Sequence, residues 1–585
     1  MRFRRLFPLL LVLNLLGPVF STSTANQQEQ NGQPTPIGGL TFFDEFQLTV
    51  ANVVVYVTDK QGNAILDLTR EDFELLQDGE QQTITNFAPY TEEIIRSRLE
   101  TLGAPGNGIG PTPTPSAERL PDPTEVHLVL FIDNENLDPL NRNRVLNQTR
   151  DFILESLHPP AQMMVVSYRN SLKVLQPFTS DPRLVLDAMR SVRRDTGGRT
   201  DRDLERRNII DKIKEYREEE RMTPGYSDQD LGQSHEVYKL IYGYAKEEAN
   251  ALVFTLDALR HVTTTLSGLP GKKGIIYVSN GLPMIPGMDL FYEAGKVYTD
   301  FAAVNEIFNY DRTRLFQQLT ASANAQDVIL YTISATGVEM GGMGAAEHQS
   351  AQDPLSASVG SRNYSDSLKF MAEETGGIAI VNTNDVAPWL ERVTQDMFTY
   401  YSIGYPLQPS GKDKVHKIKV TVPEHPEYEL RYRQRLVEKS RETQVQDRLV
   451  SSLMFDVDDN PMEIEIITGE PAPASEDRWF LPAHLDFPLN KVALMPEGDE
   501  YVGRLVLFVA VRDDDGKRSD LVRQEHEVRV PSADYEAAQS QAFGIDTTLL
   551  MEPGRYRISV ALLDRVTRQA SYQTTGASVH PKSEK

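Results

Sequence analysis

From Glu125 onward, apolar segments alternate with amphipathic ones, and this alternation restricts the fold more than any other feature. The segment VHLVLFID is a continuous apolar run that ends at a carboxylate, and KKGIIYVSNG, DVILYTISA and GGIAIVN follow later in the chain. Apolar runs of this length are typical of parallel strands that are covered on both faces. With helices between them, they predict an α/β fold with a doubly wound, Rossmann-like parallel sheet.

Two helices are predicted in detail. One covers roughly Pro139 to Ser156, after VHLVLFID, and a second lies in SDPRLVLDAMRSVRR, after the strand candidate MMVVSY, with Ser180 as its N-cap and Pro182 in its first turn. The residues of the first helix expected to face the sheet are Val145, Thr149, Phe152 and Ile153.

An insertion at about 199–250 interrupts the α/β pattern with many charges of both signs. Leu204, Ile210, Ile213 and Tyr216 have roughly helical spacing, which predicts a projecting helical hairpin stabilised by i,i+4 charge pairs. Such a hairpin is either a solvated structural lid or an arm that binds a partner.

The flanking segments have the composition of β-rich modules. Residues 41–90 predict a small β module in which Val53, Val55 and Val57 share one strand face, and the Gly/Pro-rich stretch 91–122 predicts a linker. The strands that begin near Tyr400 are expected to close an α/β domain that spans 123–440. Period-two patterns within 445–580 predict a carboxyl-terminal β-sandwich-like domain.

Export is predicted from the first residues. MRFRRLFPLLLVLNLLGPVFSTSTA has the basic, apolar and small-residue regions of a signal peptide, with cleavage expected after Ala25. A membrane anchor is the competing interpretation, but Asn14, Gly17 and Pro18 interrupt the apolar run. No membrane span is expected after the signal is removed, and the protein is expected in the periplasm, outside the cell or on its surface.

Charge and cysteine content exclude several classes of function. The formal net charge is −24, and it becomes −27 once Arg2, Arg4 and Arg5 are removed with the signal. Such a surface repels phosphate backbones, so nucleic acid is not an expected partner. The chain has no cysteine, which excludes disulfides, zinc-thiolate sites and thiol nucleophiles and favours a bacterial envelope.

Polar residues follow two strands where ligands bind in doubly wound sheets, at the carboxyl ends. The first loop holds Asp133, Asn134, Glu135 and Asn136, and the second holds Ser279, Asn280 and Gly281. Most of them offer hard oxygen donors. The structural alternative is that Asp133 and Asn280 cap helix N-termini and satisfy loop amides without any metal.

At these residues the chain resembles the von Willebrand factor A family, specifically its bacterial, signal-bearing members. The resemblance extends over about 46–436 and depends on four marks in this order: VYVTDKQGNAILDLTREDFELLQDGEQQTITNF, VLFID, LKFMAEETGGIAIVNTNDVAPWLERVTQDMFTYYSIGY and HKIKVTV. It implies a von Willebrand factor A-type α/β domain, flanked by β-sandwich-like modules, that binds a protein or another macromolecule.

The resemblance also implies a degenerate metal-ion-dependent adhesion site. Asp133 matches the first ligand of that site, Glu135 stands for its first Ser, Leu137 for its second Ser and Asn280 for its later Asp. Thr200 is the candidate ligand from the middle loop. Leu137 cannot coordinate a cation, but the oxygens of Asp133, Glu135 and Asn280 suit Mg²⁺, Mn²⁺ or Ca²⁺.

The function implied is adhesion-type protein binding, with Asn134, Asn136 and Gly281 as partner-contacting residues and no catalytic residues. A metal-independent interaction scaffold of the cell envelope is the alternative within binding proteins. An enzyme is the alternative from another class of function, and it would be a hydrolase that uses Asp133 and Glu135 as paired carboxylates.

Overall fold

The computed structural model describes residues 49–91, 93–94, 125–222, 227–298, 306–338, 353–407, 410, 412–455, 459–475, 477–514 and 516–580. The predicted signal peptide, 1–25, and most of the predicted linker, 91–122, lie outside the described residues. The chain divides into two compact units. The first comprises Val50–Leu407 and Lys412–Lys439, and the second contains Ser440–Lys585.

The first unit contains fourteen described strands and eight described α-helices. The strands are β1 (Thr49–Thr58), β2 (Glu74–Gln77), β3 (Glu80–Gln82), β4 (Asn86–Tyr90), β5 (Val126–Asp133), β6 (Ala161–Arg169), β7 (Ser171–Thr179), β8 (Lys272–Ser279), β9 (Val328–Ser334), β10 (Ala379–Ile380), β11 (Tyr400–Leu407), β12 (Lys414–Thr421), β13 (Glu429–Tyr432) and β14 (Arg435–Glu438). The helices are α1 (Pro139–Ser156), α2 (Pro182–Val192), α3 (Arg199–Met222), α4 (Ser227–Thr265), α5 (Met288–Tyr298), α6 (Thr313–Ala325), α7 (Pro354–Thr375) and α8 (Ala387–Phe398), with short 3-10 helices at Arg70–Asp72 and Glu306–Tyr310.

A six-stranded sheet in the order β10-β9-β8-β5-β6-β7 forms the centre of this unit. Its pairings are parallel from β10 to β6, as the apolar runs predict, and the last pair, β6 with β7, is antiparallel. Strand β7 was not predicted, because its residues are exposed or half-buried and show no long apolar run. Asn170, which has a φ of 57°, forms the turn between β6 and β7.

Helices cover both faces of this sheet. Leu128, Leu130 and Ile132 of β5 belong to a buried cluster that also contains residues of α1, α2 and α8. The intervening Val129 and Phe131 point to the opposite face and are equally buried. On that face α7 packs against β9, and the hydroxyl of Thr332 in β9 donates to the backbone carbonyl of Leu368 in α7 over 2.9 Å.

The structure tests the predicted range of α1 and the predicted N-cap of α2. Helix α1 spans the predicted range, and its four predicted core residues are all buried. Helix α2 is capped by Asp181 instead of Ser180, because Asp181 directly precedes Pro182 and its carboxylate accepts from the amide of Arg183 over 2.9 Å. The hydroxyl of Ser180 donates instead to the backbone of Ala161 over 2.8 Å.

Strands β11–β14 do not extend the six-stranded sheet, so the expectation that they close the α/β unit is wrong. They pair with β1–β4 in two four-stranded sheets, ordered β13-β1-β11-β4 and β14-β12-β2-β3. Side chains of both sheets form one hydrophobic cluster, which includes Val53, Val55 and Val57 on the strand face that the sequence predicts. The amino-terminal β module is therefore completed by strands that lie more than 300 residues later in the chain.

The insertion forms the two long helices α3 and α4, called the inserted pair below. Ile209, Ile210 and Ile213 of α3 pack with residues of α4 and α5 in a separate hydrophobic cluster. Among the described side chains, Arg199–Asp203 is the i,i+4 ion pair of α3. Burial therefore stabilises the inserted pair more than the predicted charge pairs do.

The second unit contains nine strands and two α-helices within its described residues. They are α9 (Arg441–Ser452), β15 (Glu465–Thr468), β16 (Ala472–Ser475), β17 (Arg478–Pro488), β18 (Met495–Glu497), β19 (Glu500–Asp513), β20 (Val522–Pro531), α10 (Tyr535–Ala538), β21 (Ala542–Met551), β22 (Gly554–Asp564) and β23 (Ala570–Val579), with a 3-10 helix at Leu489–Lys491. The strands form a four-stranded and a five-stranded sheet whose apolar side chains share one cluster. Each helix in the described parts of the chain is too short or too polar to cross a membrane.

Candidate functional site

Asp133 lies at the carboxyl end of β5 and is completely buried. Its Oδ2 accepts hydrogen bonds from the Tyr277 hydroxyl, from the Ser279 hydroxyl over 3.1 Å and from Asn136 Nδ2 over 2.9 Å. Its Oδ1 accepts from the backbone amide of Asn136 over 3.2 Å. The structure thus brings residues of the two predicted loops together, and the carboxylate is enclosed by donors of the protein itself.

Burial dominates the acidity of this cluster. It raises the pKa of Asp133 above its usual value of 3.8, although the hydrogen bonds from Tyr277, Asn136 and Ser279 act in the opposite direction. The pKa of the Tyr277 hydroxyl is raised well above its usual value, first by burial and then by the neighbouring carboxylate. Tyr277 therefore stays protonated and donates to Asp133. Sequence inspection missed Tyr277, because inside an apolar strand it resembles any other core residue.

Asn134 and Asn136 are also buried and hold the β5–α1 loop in place. Asn134 donates to the Ser167 hydroxyl over 3.0 Å and accepts from the fully buried Arg142 over 3.0 Å. Asn136 Nδ2 donates to Thr255 of α4 over 3.2 Å in addition to Asp133. Both predicted partner-contacting asparagines therefore make internal contacts.

Glu135, Leu137 and Thr200 do not join the cluster around Asp133. Glu135 Oε1 lies 3.3 Å from Arg202 Nη2 of α3, and the same nitrogen donates to the Glu135 backbone carbonyl. Leu137 is completely buried in the hydrophobic core. Thr200, the second residue of α3, is exposed, and no hydrogen bond within the described ranges joins it to Asp133.

Asn280 and Gly281 begin the second loop. The backbone amide of Asn280 donates to Asn136 over 3.2 Å, but its side-chain oxygen is buried and has no hydrogen-bond partner among the described residues. Gly281 has a φ of +104°, and a Cβ there would lie 2.7 Å from the backbone oxygen of Tyr364 in α7. Glycine is therefore required for the close approach of this loop to α7.

The first turns of α3 lie over the β5–α1 loop. The amide of Gly198 donates to the Asn134 carbonyl over 2.9 Å. Arg206 donates to Asp289 at the start of α5 over 2.9 and 2.5 Å. The spacing of the arginines in α3 is visible in the sequence, but the carboxylate partners of Arg202 and Arg206 lie in other elements and were not predictable from it.

A second, largely buried ionic cluster lies at the opposite, amino end of the sheet. Asp396 of α8 accepts two hydrogen bonds of 2.7 Å from Arg431 of β13. The ammonium group of Lys272, at the start of β8, donates to the Asp396 backbone carbonyl over 2.7 Å and lies 3.2 Å from the ring centroid of Tyr400. Burial lowers the pKa of Lys272 well below its usual value, and it raises the pKa of Tyr56, whose hydroxyl lies 3.3 Å from the Lys272 ammonium.

The predicted metal ligands do not fit a hard cation in this arrangement. Mg²⁺ requires near-octahedral oxygen coordination. The carboxylate of Asp133 is enclosed by hydrogen-bond donors, Glu135 is paired with Arg202, and Thr200 lies on the exposed face of α3. Within the part of the chain that the structure describes, no group of three or more His, Asp or Glu residues is placed to hold a metal ion.

Comparisons with known proteins do not assign a family. No protein-family model matches the chain, and no curated protein matches it. Among solved structures, it is similar to Bacteroides uniformis beta-glucuronidase, with 13% identity over 20% of this chain and 13% of that chain and a TM-score of 0.14. It is also similar to Northeast Structural Genomics Consortium target SoR45, with 12% identity over 22% of this chain and 98% of that chain and a TM-score of 0.15. The chain thus spans about an eighth of the glucuronidase, and similarity at these TM-scores carries no conclusion about its activity.

Proposed function

We propose that this protein is an exported, non-enzymatic binding protein of a bacterial cell envelope. Its α/β domain, of the von Willebrand factor A type, binds a protein or another macromolecule at the carboxyl edge of the six-stranded sheet. Binding there does not require a metal ion. β-Sandwich-like modules that precede and follow this domain in the chain position it outside the cytoplasm.

The observation that carries this proposal is the state of the Asp133 carboxylate. Asp133 is the one ligand position that the resemblance retains, and it is buried and accepts four hydrogen bonds from the protein. A carboxylate satisfied in this way supports the loop instead of binding a ligand directly. Partner contacts then fall to exposed residues around the loop, such as Leu140, which is 80% exposed in the first turn of α1.

The same observation argues against a hydrolase that uses Asp133 and Glu135 as paired carboxylates. Both groups would have to reach a substrate and a water molecule. Asp133 has no exposed surface, and Glu135 is bound by Arg202. No catalytic residue is therefore assigned.

Site-specific photo-crosslinking tests the binding proposal. A photo-crosslinking residue replaces Leu140 or Thr200 at the carboxyl edge, and Val415, which is 58% exposed in β12, is the matched control position. We expect one shared crosslinked product from the two edge positions and none from the control position in cells that make the protein. Equal products from all three positions, or no product from the edge positions, would contradict the proposal.

Metal-assisted binding is the second candidate, and one observation favours it. The side-chain oxygen of Asn280 is buried without a partner among the described residues, which is unusual for an amide oxygen. Mg²⁺, Mn²⁺ or Ca²⁺ would have to be held by Asp133 and Asn280 after rearrangement of the donors around Asp133. Calorimetric titration of the full chain with each ion distinguishes metal-assisted from metal-free binding. Saturable heat that is lost in a folded Asp133→Ala variant would support metal-assisted binding.

A further inference from the structure

Three arginines of α3 lie on one face of the helix. Arg199, Arg202 and Arg206 have i, i+3 and i+7 spacing, which places them in a single stripe. Their side chains are only 10%, 12% and 23% exposed, so this stripe faces the protein.

Each arginine meets a different partner. Arg202 binds the side chain and backbone of Glu135, and Arg206 binds Asp289. Arg199 lies 4.4 Å above the ring of Tyr364 in α7 and pairs with Asp203 within its own helix over 2.8 Å. These contacts hold the first two turns of α3 against the β5–α1 loop, α5 and α7.

The chain enters α3 through two glycines that press against the same loop. A Cβ at Gly197 would collide with the carbonyl oxygen of Leu137, and one at Gly198 would lie 2.9 Å from the carbonyl oxygen of Glu135. Glycine also has the greatest backbone freedom of any residue, so this pair forms a natural hinge. Beyond the first two turns, Ile209 and Ile213 are fixed in the apolar cluster of the inserted pair.

We propose that the first two turns of α3 form a reversible cover over the β5–α1 loop, which opens when these turns unwind from the fixed part of the helix and pivot at Gly197–Gly198. The ion pairs Arg202–Glu135 and Arg206–Asp289 hold the cover closed. Glu135 keeps some contact with solvent, so salt weakens its pair with Arg202. The role of this cover in controlling access to the partner site rests on the proposed function. The movement of the cover itself can be measured without a partner.

Hydrogen exchange of the full chain, followed by mass spectrometry at low and high salt, tests the cover. The reporter is the Gly198 amide, which donates to the Asn134 carbonyl across the contact that opens, and the Glu135 amide, which donates to Tyr168 of β6 over 3.1 Å, is the internal reference. We expect Arg202→Gln to accelerate exchange at the Gly198 amide about tenfold at low salt, as loss of a charge-assisted contact implies. High salt should have the same effect on the unmodified protein, while amides within β5 keep their protection.

Two further variants make the outcome decisive. Arg207→Gln removes an exposed arginine of the same helix and should leave exchange unchanged. The double variant Glu135→Arg with Arg202→Glu reverses the pair and should restore protection. Equal exchange in Arg202→Gln and the unmodified protein, or faster exchange across β5 as well, would overturn the cover. Failure of crosslinking at Leu140 with the exchange pattern intact would remove the proposed function and leave the cover standing.

Discussion

The two ends of the six-stranded sheet both carry buried charges, but the charges are arranged differently. At the amino end, Asp396, Arg431 and Lys272 form a cluster that ties α8 and β8 to β13 of one four-stranded sheet. At the carboxyl end, Asp133 is held by neutral donors, and the nearest ion pair, Glu135–Arg202, has a single side-chain contact of 3.3 Å.

This difference separates stability from function. A pair joined by two short hydrogen bonds is costly to break, whereas a pair joined by one longer side-chain contact contributes little and responds to salt. The amino-end cluster therefore acts as a permanent clamp between the sheets of the first unit. The carboxyl end, with its single longer contact, is where we propose that α3 moves and that a partner binds.

Breaking the clamp should have the largest effect. Asp396→Ala leaves the guanidinium of Arg431, which is only 24% exposed, without its carboxylate, and we expect a loss of about 3 kcal/mol in the free energy of unfolding. Glu391→Ala, at an exposed position of the same helix, is the control and should change that free energy by less than about 0.5 kcal/mol. Denaturant titration of both variants checks the prediction, and a loss of similar size in both would mean that no clamp exists.

Gly281→Ala should have the next largest effect, at the carboxyl end. The positive φ and the contact with Tyr364 predict a loss of about 2–3 kcal/mol in the free energy of unfolding. Gly243→Ala on α4 is the matched control, because a Cβ there meets no atom within 4 Å. We expect it to stabilise the protein by about 0.5–1 kcal/mol in thermal unfolding. A neutral Gly281→Ala would show that the loop does not approach α7 as described.

The smallest effect concerns the pH dependence of Asp133→Asn. Because the folded-state pKa of Asp133 is raised above 3.8, the folded protein binds its proton more tightly than the unfolded chain does. The stability that Asp133 contributes is therefore greatest below pH 3.8 and is lost as the pH rises through its raised pKa. The unfolding free energy of the unmodified protein minus that of Asp133→Asn should fall from acid to neutral pH. A difference that rises instead would show that the donors, and not burial, control this carboxyl group.

Local patterns in the sequence predicted much of this arrangement. Apolar runs located β5, β8, β9 and β10, and the point where the first run stops identified Asp133 as a strand-end residue. Strands β11–β14 were misassigned because period-two patterning shows that a strand exists but not which distant strand it joins. The partner of Arg202 was unpredictable for a related reason, since Glu135 lies 67 residues earlier in the chain.

Metal-free binding at the carboxyl edge is tested by crosslinking at Leu140 compared with Val415, with and without a chelator of divalent ions. We predict a specific product at Leu140 alone, in an amount that the chelator does not change. A product that the chelator abolishes would contradict metal-free binding at the carboxyl edge. An equal product at Val415 would contradict the assignment of binding to this end of the sheet.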